Sequence, residues 1–350
     1  MAETRLVAAV MGNGRIGLVE EAVPPLRAGA VRVAVQASLV SPGTELGGWR
    51  QLARQREHPN ADAAPRTFGY SNAGIVQAVG EGVTEFRAGD RVACIGAGYA
   101  QHTTLAVVPH HLCVLLPENV TYAQGAYAML AATGLQALRR GEPQLGEYFA
   151  VVGLGVVGQL TARLLQLAGA YVIGWDTIPF RTQTATAWGL DAVAIPGAED
   201  EVARTKEFTA GRGLDGAVLA FGGDGTKALQ SVRQSLKVTL DGHRMGRIVI
   251  VGGVKLDYSF GLTNADIREA SRTGAGYHDE AWEFGPDYPP VFVHWSTRTN
   301  LQLCMRLLAE GKLRVDRLTT HTIPLREVEA AVAAILDRPD EILGVVFTMG

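Results

Sequence analysis

Cysteine is scarce, with only Cys94, Cys113 and Cys304 in 350 residues. Three thiols can build neither a disulfide framework nor a Cys-rich zinc module, and such usage fits a reducing compartment, so a cytoplasmic location is expected. An excess of charge of one sign is also missing. Thirty-two Lys and Arg against 35 Asp and Glu leave a formal net charge of -3, which speaks against nucleic-acid binding driven by bulk electrostatics. Long hydrophobic runs are absent too. The N-terminal apolar stretch from Leu6 to Met11 is too short for a secretory core. The longest charge-free stretch, Asn119 to Leu138, carries Asn119, Thr121, Gln124, Thr133 and Gln136 and would insert poorly into a bilayer. Its second half reads as a buried helix. Charged residues make up only 19% against 47% hydrophobic, which excludes a disordered chain.

Glycine is abundant instead, at 42 residues, well above the usual ~7%. Without a fibrous period, that excess signals tight turns and close backbone approaches. The length suggests two domains. Up to about Pro117, β-rich runs at Leu6–Val10, Val31–Val35, Ile75–Val79, Arg91–Ile95 and Thr104–Val108 are parted by turn residues, as in a small barrel. The tract Arg50 to Pro65 reads as an exposed loop or short helix. From Tyr148 the pattern becomes an alternation. Strands Tyr148–Val152, Tyr171–Trp175, Ala192–Ile195, Gly216–Phe221 and Arg247–Val251 are separated by helical segments beginning near Val157, Arg181, Glu201 and Lys227. This α/β order implies a doubly wound parallel sheet. His278 to Pro290 reads as an ordered loop, Asn300 to Glu310 and Leu325 to Leu336 as helices, and Gly344 to Met349 as a strand.

The most specific motif is Gly153-Leu154-Gly155-Val156-Val157-Gly158. It follows a strand, opens a helix, and has Asp176 at the end of the next strand. Gly153 would permit the tight turn, Gly155 a backbone approach to a pyrophosphate, and Gly158 close helix–strand packing, with the helix N-terminus facing the phosphates. A carboxylate at Asp176 suits the free ribose hydroxyls of NAD and repels the extra phosphate of NADP. Arg181 could still accept that phosphate, and Asp176 could instead serve as a helix N-cap. Gly252, just past the Arg247–Val251 strand, completes the candidate cofactor set.

These segments resemble the medium-chain dehydrogenase/reductase superfamily, which contains the zinc alcohol and polyol dehydrogenases. Pro42-Gly43-Thr44-Glu45 is similar to that family's Cys-Gly-Thr-Asp, and Gly69-Tyr70-Ser71-Asn72-Ala73-Gly74 to its Gly-His-Glu-x-x-Gly. Phe86 to Val92 resembles its turn before a barrel strand, and Thr319 to Leu325 its C-terminal re-entry. The resemblance implies a GroES-like β-barrel catalytic domain from residues 1–120 and 290–350 around a Rossmann domain at 121–289. It also implies a homodimer or homotetramer acting on a small molecule. The departures bear on metal. Pro42, Tyr70, Ser71 and a position near Met129 stand where zinc enzymes of the family place their ligands, and no four-Cys lobe follows Cys94. Neither zinc is therefore expected. The Ser41–Glu45, Gly69–Ser71 and Trp295–Asn300 segments look like a zinc-free branch resembling sugar, cyclitol and bacteriochlorophyllide dehydrogenases.

Alcohol oxidation without a metal needs a hydride acceptor, a base and a group that stabilises the developing alkoxide. Tyr70 is the candidate hydrogen-bond donor or acid/base and Thr44 the proton relay. Each has a plainer reading, Tyr70 as filler of the vacated metal volume and Thr44 as cap of a helix beginning near Leu46. His102, after a Gly-Tyr-Ala turn, is a third catalytic candidate or a packing residue. Glu45, Tyr277, His278 and Trp295 are weaker substrate candidates, while His58, His110 and His111 read as surface residues. The reading is an NAD-dependent, zinc-independent oxidoreductase of a secondary alcohol on a sugar, cyclitol or similar polyol. A quinone or enone reductase and a non-catalytic cofactor-binding protein are the alternatives.

Overall fold

The computed structural model describes residues 3–45, 52, 55–60, 62–257, 261 and 264–349. The chain forms two compact units, Met1–Ala132 with Thr273–Gly350 and Thr133–Arg272. The joints expected at 120/121 and 289/290 are thus displaced. The first lies inside the helix Ala128–Gly141, where no turn marks it. The second lies beside Arg272, a non-glycine residue at φ 62°.

In the first unit one sheet runs in the order Thr319–Pro324, Gly344–Thr348, Ala30–Val40, Ser71–Val79, Arg91–Ile95 and Cys113–Leu115, and Leu105–Pro109 also pairs with Ala30–Val40. Pairing is antiparallel except between Thr319–Pro324 and Gly344–Thr348. A smaller sheet joins Ile16–Ala22, Thr4–Val10 and Arg66–Thr67. Along Ala30–Val40 the burial alternates from Val31 to Gln36, as expected of a strand with one covered face. The alternation then stops, and Ala37 to Val40 are all buried. Both faces of the strand are covered there. A core of Val10, Ile16, Val40, Phe68, Val328, Ile335, Val345 and Phe347 joins the two ends of the chain.

In the second unit Ala192–Ala194, Tyr171–Trp175, Tyr148–Val152, Gly216–Ala220, Arg244–Val251 and Ala265–Glu269 are parallel neighbours in that order. Numbered along the chain this is 3-2-1-4-5-6, the doubly wound arrangement with its switch point between the first and fourth strands. Phe149, Ala150 and Val151 are fully buried in succession, as a parallel strand covered on both faces requires. Helices Val156–Leu167, Pro179–Ala187, Glu201–Phe208 and Thr226–Ser235 alternate with the strands. Proline at the first position of Pro179–Ala187 and Asp200 capping Glu201–Phe208 fix where two of them start.

The expected 278–290 loop contains a short helix, Glu280–Phe284, capped by Asp279. The helix expected from Asn300 runs Thr297–Ala309 and opens on a capping box of Ser296 and Thr299. The segment from Leu325 begins as a 3-10 turn, Leu325–Glu327, before the helix Val328–Asp337. Leu46 and residues 50, 51, 53, 54 and 61 of the expected Arg50–Pro65 loop lie outside the described residues. No helix among the described residues is long and apolar enough to cross a membrane.

Candidate active site

In the second unit the three motif glycines have three different surroundings. Gly153 has φ 90°, and a Cβ there would sit 2.8 Å from the Ala220 carbonyl oxygen. A Cβ on Gly158 would sit 1.8 Å from the Gly153 carbonyl oxygen, so loop and helix touch along the backbone. A Cβ on Gly155 would meet nothing within 4 Å. Gly155 is the N-cap of Val156–Leu167 and offers no side-chain cap, which leaves the helix's first N–H groups for a ligand. Leu154 and Val156 are buried beneath the loop, and Val157 packs against the core. Gly252, at φ 85°, follows the strand Arg244–Val251.

Asp176 stands at the end of Tyr171–Trp175 and is 7% exposed. Its Oδ2 accepts the Leu154 N–H at 2.7 Å and its Oδ1 the Ile178 N–H at 2.9 Å. The N-cap of the next helix is Ile178, so the capping alternative for Asp176 does not hold. The carboxylate braces the glycine loop instead, and each oxygen keeps a further lone pair. Arg181 Nη1 lies 3.6 Å from Asp176 Oδ2.

In the first unit three distant segments bring the catalytic candidates together. Gly69, at φ 109°, lets the Phe68–Tyr70 turn pass the next segment so closely that a Cβ would stand 2.3 Å from His102 N. Phe68 O accepts the His102 N–H, and His102 O accepts the Ala8 N–H. The His102 ring is fully buried, edge-on to Phe68 and Phe347 with centroids 5.3 and 5.1 Å away. Its Nδ1 is 2.7 Å from Ser38 Oγ and its Nε2 3.1 Å from Glu45 Oε2. A carboxylate only accepts, so Nε2–H donates to Glu45, and on a neutral ring the Ser38 hydroxyl donates to Nδ1. Glu45 Oε2 also accepts the Ser41 N–H at 3.0 Å, whereas Glu45 Oε1 is buried without a hydrogen-bond partner.

Tyr70 completes the group. Its hydroxyl lies close enough to the side chains of Ser41 and Thr44 for both to act on its ionisation. Burial first, and the nearby Glu45 charge second, push its pKa far above the usual 10, against the opposing effect of the Ser41 and Thr44 side chains. Tyr70 is therefore a neutral hydroxyl at physiological pH. Thr44 is exposed and lies in the helical turn Pro42–Glu45. The start of the helix near Leu46, which Thr44 would cap in its plainer reading, lies outside the described residues. Ser38 and Ser41 were not singled out as site residues by the sequence. Ser41 belongs to the Ser41–Glu45 motif, but nothing in the strand pattern marks Ser38.

The other candidates are placed less centrally. Tyr277 is buried near enough to Tyr70 to act on its ionisation, and its oxygen accepts the Ala97 N–H at 3.0 Å. His278 packs on Tyr277 and donates its backbone N–H to Glu283. Trp295 is 43% exposed and lies against His294. Ser71 Oγ donates to Ala126 O at 2.6 Å and accepts the Met129 N–H at 3.2 Å, which makes it a brace. His58 is exposed, but His110 and His111 are buried, contrary to expectation. The ring of Trp282, distant in sequence, covers His111.

Residues 27–134 match the alcohol dehydrogenase GroES-like domain family. Over 327 residues, 85% of each chain, the protein is 27% identical to (R,R)-butanediol dehydrogenase of Bacillus subtilis. It is 27% identical over 297 residues, 76% of each chain, to sorbitol dehydrogenase of Mus musculus. The crystal structure of 2R,3R-butanediol dehydrogenase from Bacillus subtilis superposes with a TM-score of 0.75 at 22% identity, covering 99% of this chain and 100% of that one. The chain is an enzyme with a GroES-like domain and a Rossmann-type parallel sheet, and its relatives and structural neighbours are alcohol dehydrogenases of the medium-chain type. Ser38, Ser41, Thr44, Glu45, Tyr70 and His102 all fall within the matched GroES-like segment.

Proposed function

We propose that the protein is an NAD-dependent oxidoreductase that interconverts a secondary alcohol and a ketone on a polyol, sugar or cyclitol without a catalytic metal. The observation that carries this reading is the buried, neutral Tyr70 hydroxyl, close to Ser41, Thr44 and the buried Glu45–His102 pair. The polyol class is supported by the butanediol and sorbitol dehydrogenases among the relatives.

Gly153, Gly155, Gly158 and the first turn of Val156–Leu167 would hold the dinucleotide, with Asp176 favouring the unphosphorylated ribose. When bound, the nicotinamide supplies the hydride acceptor. The metal-free part rests on donor chemistry. Proline, a phenol, a serine hydroxyl engaged with Ala126 and Met129, and a thioether do not make a zinc ligand set. No step is assigned to a metal.

Tyr70 binds the reacting oxygen. In ketone reduction it donates its proton, and in alcohol oxidation it accepts the substrate proton while passing its own to a neighbouring hydroxyl. Thr44 and Ser41 are the next oxygens, and Glu45 is the terminal acceptor. His102, held by Ser38, orients Glu45 and spreads its charge.

Nicotinamide absorbance tests the reading, with purified protein, NAD or NADP, and vicinal diols, polyols and cyclitols, before and after chelation. NADH should form with a polyhydroxylated alcohol and chelation should leave the rate unchanged. Tyr70→Phe should lower kcat by about 10²- to 10⁴-fold while the NAD Kd stays put. Full activity of Tyr70→Phe, or a rate that depends on added zinc, would overturn it.

A further inference from the structure

A second group of ligand-type side chains is assembled in the first unit. Glu85 stands beside the 3-10 turn His110–Leu112, and one ligand atom each from Glu85, His110 and His111 lies within 4.8 Å of the others. His111 is 2% exposed, and its Nδ1 has no hydrogen-bond partner although closed off from water. Its ring is fixed against His110 at 4.0 Å and Trp282 at 4.6 Å between centroids. A buried imidazole nitrogen with nothing opposite it is costly to retain.

His110 carries a second anomaly. Its Nδ1 is 2.7 Å from Glu85 Oε1 and its Nε2 3.2 Å from the Gly285 carbonyl oxygen. Both partners only accept, and a neutral imidazole has one N–H. The ring satisfies both when it carries a second proton or when a cation sits at Nδ1. In the latter case Nε2–H donates to Gly285 O, the kind of outer contact that orients ligating histidines.

We propose that Glu85, His110 and His111 form a binding site for a divalent first-row transition ion, with Zn²⁺ as its probe. Two imidazoles and a carboxylate are a zinc-type donor set that leaves a position for water. Ligand atoms around a tetrahedral ion bonded at ~2.0–2.1 Å lie about 3.3 Å apart, so Glu85 and His110, now 2.7 Å apart, must part, while the third ligand, within 4.8 Å of the others, closes in. Arg298 Nη2, 3.3 Å from Glu85 Oε1, competes with the ion for that oxygen. The ion would tie the His110–Leu112 turn to Glu85 and, through Gly285, to the end of the helix Glu280–Phe284. That role is structural and does not depend on the dehydrogenase chemistry.

The full chain, stripped with a chelator, is titrated with Zn²⁺ by calorimetry and with Co²⁺ by absorption. One ion should bind per chain. Affinity should fall about tenfold or more in Glu85→Gln and His111→Leu. It should rise in Arg298→Gln, a response that a chance surface site would not give. If His111→Leu fails to fold, the half-buried Glu85 and Arg298 variants still decide. Absence of stoichiometric binding, or binding that these variants leave unchanged, would overturn the site.

Discussion

Replacing the loop glycines by alanine one at a time should separate folding from cofactor binding. At Gly158 the new Cβ would stand 1.8 Å from the Gly153 carbonyl oxygen and 2.9 Å from its carbon. The obstructing atoms are backbone, so helix and loop must part, at the upper end of the ~1–3 kcal/mol that overpacking costs. At Gly153 the left-handed φ of 90° adds strain of roughly 1–2 kcal/mol to a contact of 2.8 Å. At Gly155 φ is -65° and the methyl meets nothing. The folded state accepts it, and the narrower unfolded ensemble contributes about 0.4–1 kcal/mol of stability. The same open face is where a pyrophosphate would approach the backbone, so NAD affinity should fall by about 10- to 100-fold. Thermal melts and calorimetric titration with NAD measure the two quantities. Unchanged NAD affinity in Gly155→Ala would refute the assignment of that face, and a fully stable Gly158→Ala would refute the packing argument.

Two further outcomes follow from the site geometry. Tyr70 and Tyr127 both have pKa values raised above the usual 10, chiefly by burial. The folded state then holds these protons more tightly than the unfolded chain. The stability they contribute is complete below pH 10 and is lost as pH rises beyond it, by up to about 1.4 kcal/mol per pH unit for each phenol. Denaturant titrations above pH 10 should show this slope flattening in Tyr70→Phe with Tyr127→Phe, and an identical slope would contradict it. Asp176→Asn should lower the preference for NAD over NADP by about tenfold or more, because the repulsion of a 2′-phosphate goes with the charge while Arg181 remains. The Kd values for both dinucleotides measure this, and an unchanged ratio would remove Asp176 from cofactor choice.

The second unit was legible because its signals are local. A parallel strand buried on both faces is a continuous apolar run such as Phe149 to Val151, and the turn after it demands glycine at set positions. The first unit was legible as strands but not as a site. The sequence offers Tyr70, Thr44, Glu45 and His102 only singly, and the close passage at Gly69 brings the Tyr70 turn against His102. Nothing in the sequence marks Ser38, because it lies where the strand's alternation ends and both faces are covered. His110 and His111 read as exposed because the ring that covers His111 comes from Trp282, far along the chain. The first domain joint was invisible for a related reason. It falls within a continuous helix, where the sequence carries no turn residue.

The buried polar atoms left unsatisfied carry the strongest physical hint. An unpartnered buried acceptor costs about 1–3 kcal/mol, and folding retains such a cost where another requirement imposes it. Glu45 Oε1 and His111 Nδ1 are two such atoms. The first belongs to a carboxylate whose other oxygen is already held by His102 and the Ser41 N–H, beside a phenol that burial keeps protonated. That is the disposition of a proton acceptor kept open. The second belongs to a buried imidazole in tilted contact with the His110 and Trp282 rings and beside a carboxylate, the disposition proposed for a ligand. The two clusters share no residue, so the proton transfer proposed at Tyr70 and the ion binding proposed at His111 are separable by single substitutions. Zinc found in the purified enzyme would therefore bear on the chemistry only if its removal, or its loss in Glu85→Gln, changed the rate.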